Sequence, residues 1–478
     1  MTPEEFRVAG HQLIDWIADY RSGVEERPVK AQIQPGDVKR ALPAAPPEET
    51  VGIEALLADL DDIVVPGTFM AQHPMHFGWF PSNAALSSVL GDMASSGLGG
   101  LGISWESCPS LTEVEEVVCD WMRQLTGLSD AWSGAINDTA STSTLTGLLV
   151  ARERASGLSQ NSSGLQAMAE PLVVYATEQA HSSVAKAALL AGFGWDNICM
   201  VATDPRTHAM DPVALADAIA ADLAVGRKPA AIVATTGSTG VTAMDPIAAI
   251  VEVANAHEVF VHLDAAMAGS AMLLPECRHL WEGVEGVDSI SWNPHKWMGT
   301  ILDCSLFYTR NVELLNRVMS TNPAYLQSAE DGAVTQYRDW GIPLGRRFRA
   351  LKLWFHLRLD GVDSIQARLR RDLANAAWFS ELVSNADAGW RVVAPVQLQT
   401  VCVRHEPVVD GVALSGAALD AHTQQWIRTL NESGSTFLSG AVLDGRWMAR
   451  VSIGVESTER HHLEALWQLM QKAVAPAR

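Results

Sequence analysis

Lys296 stands in the segment SISWNPHKWMG, where a strand-like run ends in Asn293, Pro294, His295 and Lys296 and the apolar pair Trp297–Met298 follows. A lysine among large apolar residues is costly to bury as a cation, so it needs a partner or a covalent use. Asp264, 32 residues earlier (296 − 264), ends another apolar run in VFVHLDAAMAGSA. His181 opens a helical pattern in VYATEQAHSSVAKAALLAG, and Thr139, Ala140 and Ser141 open another in GAINDTASTSTLTGLLVARERA. Taken singly, Asp264 fits a helix cap, His181 a packed or capping histidine, and the hydroxyl-rich stretch plain capping. Taken together they suit one ligand. A helix N-terminus with hydroxyls is an anion site suited to a phosphate. A carboxylate at a strand end holds a protonated ring nitrogen, an imidazole stacks on a flat ring, and a neutral buried lysine forms a Schiff base. Phosphate, pyridinium and aldehyde are the three handles of pyridoxal 5'-phosphate (PLP), for which a lysine and an acidic partner are the usual demand.

The elements that must carry these residues alternate. PLVVYAT, AAIVATT and VFVHLDAA are short apolar runs, each ending in a loop that feeds a helix, as buried parallel strands do. LTEVEEVVCDWMRQLTG reads as a helix with Val114, Val117, Val118, Trp121, Met122 and Leu125 on its buried face. Strands separated by helices predict a doubly wound α/β fold with a mainly parallel sheet, whose ligand site lies at the carboxyl ends of the strands. After residue 360 the helical stretches SIQARLRRDLANAAWFSELVSN and SGAALDAHTQQWIRTLNESG flank strand-like VQLQTVCVRH, and RWMARVSIGV and TERHHLEALWQLMQKAV follow, which predicts a small C-terminal α+β domain. The N-terminus reads as an amphipathic helix with Phe6, Leu13, Ile14 and Ile17 on one side, and the proline-rich residues 27–50 as an irregular arm wrapping over a surface. The expected division is thus an N-terminal helical segment, 1–84, a large cofactor-binding domain, 85–360, and a small domain, 361–478. The basic run GRRFRALKLWFHLRLDG reads as a helix with a solvated or anion-facing side.

The bulk numbers narrow the partners. A net charge of −21 argues against nucleic acid and anionic membrane surfaces. Six scattered cysteines without a CxxC pair fit reduced thiols in a cytoplasm. The acidic N-terminus does not read as a signal peptide, and no stretch reaches the roughly 18 apolar residues of a membrane span. His73 and His76 have no nearby carboxylate or cysteine to complete a metal site, so no metal is expected, and His461 and His462 read as a solvated helix face.

HLDAAMAGSA, NPHKW, QAHSSV and IPLGRRFRALKLWF resemble the group II PLP-dependent decarboxylases, the aromatic-L-amino-acid decarboxylases above all. The resemblance runs from residue 5 to residue 475 and is dense from 70 to 360; the NPHK block with the aspartate upstream is its most specific part, and the hydroxyl-rich loop alone is weak. It implies PLP-dependent transferase fold type I, the aspartate aminotransferase-like architecture, and a homodimer with sites at the interface and the N-terminal arm on the partner. It implies that Lys296 carries PLP, Asp264 pairs with the ring nitrogen, and His181 stacks on the ring. Thr139, Ala140 and Ser141 would bind the phosphate, with Asn293 and His295 nearby, Ala266 beneath the ring, and Ser238 or Thr239 near its substituents. Tyr325, in a polar loop read as mobile, would protonate the substrate carbon after carbon dioxide leaves; its alternative reading is a loop anchor.

Two positions depart from the family pattern: Asp138, where glycine is usual, and Met267, where animal enzymes often have tyrosine. Trp79, Phe80, Leu101 and Ile103 match the side-chain pocket, and Gly345 leaves room for a bulky ring, so the implied substrate is an aromatic amino acid. Trp79 would alternatively fill the pocket and favour smaller rings or aliphatic chains. The competing outcomes are aliphatic decarboxylation, aromatic aldehyde synthesis, or a non-catalytic relative.

Overall fold

The structure is a computed structural model that describes residues 1–159, 162–321, 330–386, 389–409 and 411–475. The chain begins with helix α1 (Pro3–Ser22), whose start is fixed by a Thr2/Glu5 capping box and by Pro3 in the first turn. None of its residues is buried, and Phe6 and Val8 are 66% and 54% exposed. Helices α2 (Asp37–Ala41) and α3 (Ile53–Asp59) follow, so the expected irregular arm carries one short helix. Strand β1 is His76–Phe77.

Helices α4 (Leu86–Leu98) and α5 (Pro109–Thr126) lead into the main alternation. This runs β2 (Ser133–Asn137), α6 (Ala140–Ala155), β3 (Leu172–Ala176), α7 (Ser182–Leu190), β4 (Ile198–Met200), α8 (Pro212–Ala224), β5 (Lys228–Thr235), α9 (Ile247–Ala256), β6 (Phe260–Asp264), β7 (Ser289–Trp292) and β8 (Ser305–Thr309). The seven strands form one sheet in the order β2-β8-β7-β6-β5-β3-β4. The pairs β7–β6, β6–β5, β5–β3 and β3–β4 are parallel, and β8 is antiparallel to both its neighbours. Every residue of β3, β6, β7 and β8 is buried, and of these β3 and β6 lie in the apolar runs PLVVYAT and VFVHLDAA. Leu148 and Ala151 of α6 and Val184 and Ala188 of α7 join Val174, Ala231 and Val233 in one core cluster. Each fully buried valine or leucine contributes roughly 1.5–3 kcal/mol relative to exposure.

The apolar period misplaces the buried face of α5. Leu111, Glu115, Val118, Cys119, Met122 and Thr126 are buried, whereas Val117 and Trp121 are 47% and 37% exposed. The face turns because Glu115 is an inward charge. Its carboxylate accepts from Ile136 N–H (2.7 Å) and takes Arg346 bidentately (2.5 and 3.0 Å), and Arg346 also donates to Ile136 C=O (2.8 Å). The basic run around Arg346 is corrected in the same way. Within α11 (Ala350–Leu359), after α10 (Val312–Met319), Lys352 and His356 are buried, and Lys352 Nζ meets Asp92 at 3.3 Å and Asp303 at 3.4 Å. Part of the run's polarity, Arg346, Lys352 and His356, therefore points inward to partners, while Arg347 and Arg358 keep a solvated side.

Helix α12 (Val362–Ser384), β9 (Trp390–Val392), β10 (Thr400–His405), the hairpin β11–β12 (Val408–Val409, Val412–Ala413), α13 (Gly416–Glu432), β13 (Phe437–Leu443), β14 (Arg446–Ser452) and α14 (Arg460–Val474) complete the chain. A second sheet has the order β1-β13-β14-β10-β9. Its β13–β14 hairpin turns on Asp444-Gly445, both at positive φ (50° and 70°), as a type I′ turn demands.

The chain divides into two compact units, 1–81 with 382–391 and 403–478, and 82–381 with 392–402. These are not the three consecutive segments expected. The N-terminal stretch joins the C-terminal one because β1 pairs with β13 and Pro74 C=O accepts from Thr458 Oγ1 (2.8 Å). Most of α12 stays with the large unit, where its Asp372 accepts from Trp297 Nε1 (2.9 Å).

Candidate active site

The carboxyl ends of β6 and its neighbours bring most of the expected residues to one edge of the large sheet. Asp264 is the last residue of β6, in register with Thr235 of β5 and Ser291 of β7. It is 4% exposed, and its Oδ1 accepts from Ala266 N–H (3.0 Å), so the carboxylate is held at the strand end. Beyond β7 the chain makes a tight turn: Asn293 N–H donates to Ala266 C=O (2.9 Å), Lys296 N–H to Asn293 C=O (3.0 Å), and Gly299 N–H to Pro294 C=O (3.0 Å). That turn presents Lys296 half-buried while Trp297 and Met298 go fully into the core. His295 is buried, and its Nδ1 accepts from Cys304 N–H (2.9 Å). Burial first, and the nearby Lys296 second, push its pKa down to about 4, so it is a neutral imidazole.

His181 is the N-cap of α7. Its Nδ1 accepts from Ser183 N–H (3.2 Å), so Nε2 carries the ring proton. Water reaches part of the ring, yet the surrounding protein desolvates it enough to lower its pKa. The charge of Lys296 acts in the same direction, and Asp264 opposes both. His181, Asp264 and Lys296 therefore lie within each other's fields.

Beyond the carboxyl end of β2, which runs in the same direction as β7, Thr139 is the N-cap of α6 and makes no side-chain capping bond. The first-turn amides of Ala140 and Ser141 belong to the four that a helix leaves without an internal partner. Asp138 Oδ1 accepts from Thr139 N–H (2.7 Å). Ser238 is buried and closes its loop by accepting from Ala243 N–H at Oγ (3.0 Å), which leaves Thr239 half-buried beside it. Ala266 is half-buried, and Gly345 lies on an exposed loop where a Cβ would meet no atom of the described residues within 4 Å. Tyr325 lies outside the described residues.

These groups fit PLP. The open amides and hydroxyls at α6 suit a phosphate, and Asp264 suits a ring nitrogen. Asn293 Oδ1 is buried with no hydrogen-bond partner among the described residues, an orphan acceptor of the kind a bound ligand satisfies. The chain matches the family model described as "Pyridoxal-dependent decarboxylase conserved domain" over residues 35–406.

The chain belongs to that family.

Among its relatives, "Tryptophan decarboxylase 2" of Oryza sativa subsp. japonica is 37% identical over 484 residues, covering 98% of this chain and 95% of that one. "Phenylacetaldehyde synthase" of Arabidopsis thaliana is 37% identical over 481 residues, covering 99% and 96%. The crystal structure of Oryza sativa TDC with PLP and tryptamine matches with a TM-score of 0.95 at 35% identity, covering 99% of this chain and 98% of that one. The protein is thus a group II PLP-dependent decarboxylase of fold type I, a carboxy-lyase whose cofactor is PLP.

The decarboxylase's expected pocket residues fall in both units. Trp79 and Phe80 belong to the first and Leu101 and Ile103 to the second. Trp79 is 54% exposed at a positive φ of 46°, held by Ser439 Oγ on its N–H (2.6 Å) and Arg450 Nη1 on its C=O (3.1 Å). Its ring packs 4.9 Å from Phe69 and from Phe437, and Arg450 lies 5.0 Å above Phe80. Between Leu101 and Ile103, Gly102 N–H donates to Arg346 C=O (3.1 Å), and a Cβ there would sit 2.9 Å from that oxygen, so glycine is needed for the approach.

His262 was not singled out from the sequence. It is fully buried on β6, two residues before Asp264 and so on the same face. Its Nδ1 lies 2.8 Å from Ser289 Oγ, and its Nε2 lies 3.3 Å from Thr144 Oγ1 and from Ser291 Oγ, tying α6, β6 and β7 together. The two-residue spacing was the available signal. Met267, one of the two departures, is buried. His73 Nδ1 accepts from Met75 N–H (2.9 Å), and His76 Nδ1 lies 3.1 Å from Ala71 C=O. His462 corrects the expected solvated face. It is buried, its Nδ1 accepts from Glu459 N–H (2.9 Å), and its Nε2 donates to Glu25 (3.0 Å). Glu25, His461 and His462 are close enough for a metal, but that bonding leaves the proton on Nε2, the atom a metal would need.

Proposed function

We propose that this enzyme decarboxylates aromatic L-amino acids, among them tryptophan, phenylalanine, tyrosine, dopa and 5-hydroxytryptophan, to the amine and carbon dioxide. The observation that carries the substrate class is end-to-end similarity to a tryptophan decarboxylase, joined by the exposed Trp79 and the half-buried Phe80 beside it. Bound PLP supplies an electron sink for the pair released when carbon dioxide leaves. The chain's own groups do the rest. Lys296 would hold the cofactor. Asp264 keeps a proton on the ring nitrogen, and neutral His181 presents a flat face to the ring. Thr139, Ala140 and Ser141 hold the phosphate, with Asn293 and His295 alongside and Ala266 and Thr239 against the ring. Tyr325 delivers the proton that completes the amine.

The active form in this reading is a homodimer. The uncovered apolar residues of α1 support an arm that lies on a partner copy. Light scattering giving twice the 51.5 kDa chain mass is the expected result, and a monomer would remove this part of the reading.

The test is a substrate panel of those five amino acids with glutamate and leucine as controls. Amine and carbon dioxide in equal yield from at least one aromatic substrate are expected. Turnover of the controls alone would overturn the aromatic reading. The aldehyde-synthase relative motivates a second measurement. Stoichiometric hydrogen peroxide and aldehyde would mark oxidative chemistry instead, which the histidine at the stacking position disfavours.

A further inference from the structure

The start of α6 already holds an anion. Asp138 stands immediately outside the N-cap Thr139, and its carboxylate takes the Thr139 amide at 2.7 Å. This is the outermost donor of a 16-residue helix whose positive end, by the reading above, receives the cofactor phosphate. The two anions compete twice. Asp138 uses up one of the backbone donors that a phosphate would take, and it places a negative charge beside a group that itself carries about −1.5 to −2.

We propose that Asp138 sets how tightly this enzyme holds PLP, weakening the grip on the phosphate so that the cofactor exchanges more readily than the Lys296 anchor alone would allow. The inference rests on the phosphate lying at Thr139–Ser141. Repulsion between an adjacent carboxylate and a group carrying about −1.5 to −2 corresponds to roughly tenfold in the dissociation constant, even at the dielectric of bulk water. Freeing the Thr139 amide adds to that.

The experiment strips the purified enzyme of cofactor and measures dissociation constants for PLP and for pyridoxal, which lacks the phosphate, by absorbance. PLP-induced shifts in melting temperature of the same samples provide a readout independent of turnover. Asp138→Asn keeps the size and the oxygen acceptor while removing the charge, and Asp138→Ala removes both. Both are expected to lower the PLP constant by about tenfold, enlarge the PLP-induced thermal shift, and leave pyridoxal binding unchanged. Thr139→Ala with Ser141→Ala is expected to weaken PLP binding, which tests the location of the phosphate separately. Weakened PLP in that double variant with no gain in Asp138→Asn would overturn the proposal and leave the phosphate site standing. No change in either would overturn both. An equal gain for pyridoxal and PLP would also overturn the proposal, since the effect would then not act on the phosphate.

Discussion

Glu115→Gln tests whether the buried Glu115–Arg346 pair holds the site's walls. The substitution keeps an oxygen for the Ile136 amide and removes the charge facing Arg346. Burial works against the guanidinium charge, but Glu115 outweighs it and raises the Arg346 pKa above its ordinary value. Without that partner a buried cation stands uncompensated, which costs about 3–5 kcal/mol. For a unit of this size that is a fall in melting temperature of about 5–8 °C. Adding Arg346→Met removes the stranded charge and should recover at least half of the loss, because Ile136 C=O alone is then left short of a partner. The consequence extends to function. Arg346 C=O receives Gly102 N–H, and Ile136 lies on β2 just before the proposed phosphate site, so KM and PLP affinity should worsen together. The assay is a double-mutant cycle by differential scanning calorimetry on the stripped enzyme, with KM measured on the loaded one. A Glu115→Gln enzyme within about 0.5 kcal/mol of the parent would refute the reasoning, since the pair would then be worth no more than one on the surface.

Lys296→Ala should lose the visible absorbance of lysine-bound cofactor while still binding PLP weakly; retention of that band would remove Lys296 as the anchor. Tyr325→Phe should shift product from amine towards aldehyde, and unchanged amine output would exclude Tyr325 as the proton donor. Acid should destabilise the fold below about pH 6.5. His76, His262 and His295 have pKa values lowered to about 4, and His356 to about 3, mainly by burial. Each stays neutral in the native state but charges on unfolding, so the unfolded chain binds more protons and stability falls with pH, by on the order of 2 kcal/mol per histidine at pH 5. Asp245, raised to about 6 by burial, opposes part of this, because it binds its proton in the native state first. Urea midpoints measured from pH 7.5 to 5 check the sign, and a flat profile would contradict it.

The candidate site was legible because its residues sit where periodicity changes. Asp264, Lys296 and His181 each follow a buried apolar strand, and a strand end that turns polar is visible in one dimension. Asn293 and His295 came with the same turn. What stayed hidden depends on polar groups satisfied inside the core. Glu115, Lys352 and His262 look like surface residues to an apolar period, yet each is buried on partners far along the chain. The short strands β2 and β8 were missed because Ser133–Asn137 and Ser305–Thr309 carry too few apolar residues to stand out from their loops. The joining of residues 1–81 with 403–478 was invisible for a related reason, since the two-residue strand β1 has no pattern of its own.

The left-handed backbone at Trp79 limits how this enzyme can be re-engineered. A positive φ is tolerated by glycine and, less readily, by asparagine, aspartate and histidine, whereas β-branched residues are strained there. A mutant library at position 79 that includes valine, isoleucine and threonine will therefore spend part of its diversity on backbone strain. The productive alphabet is narrower: other aromatics held by Phe69 and Phe437, or small residues at home at that φ. Position 79 is accordingly easier to change in steps that keep a ring or remove the side chain altogether than by trimming it gradually.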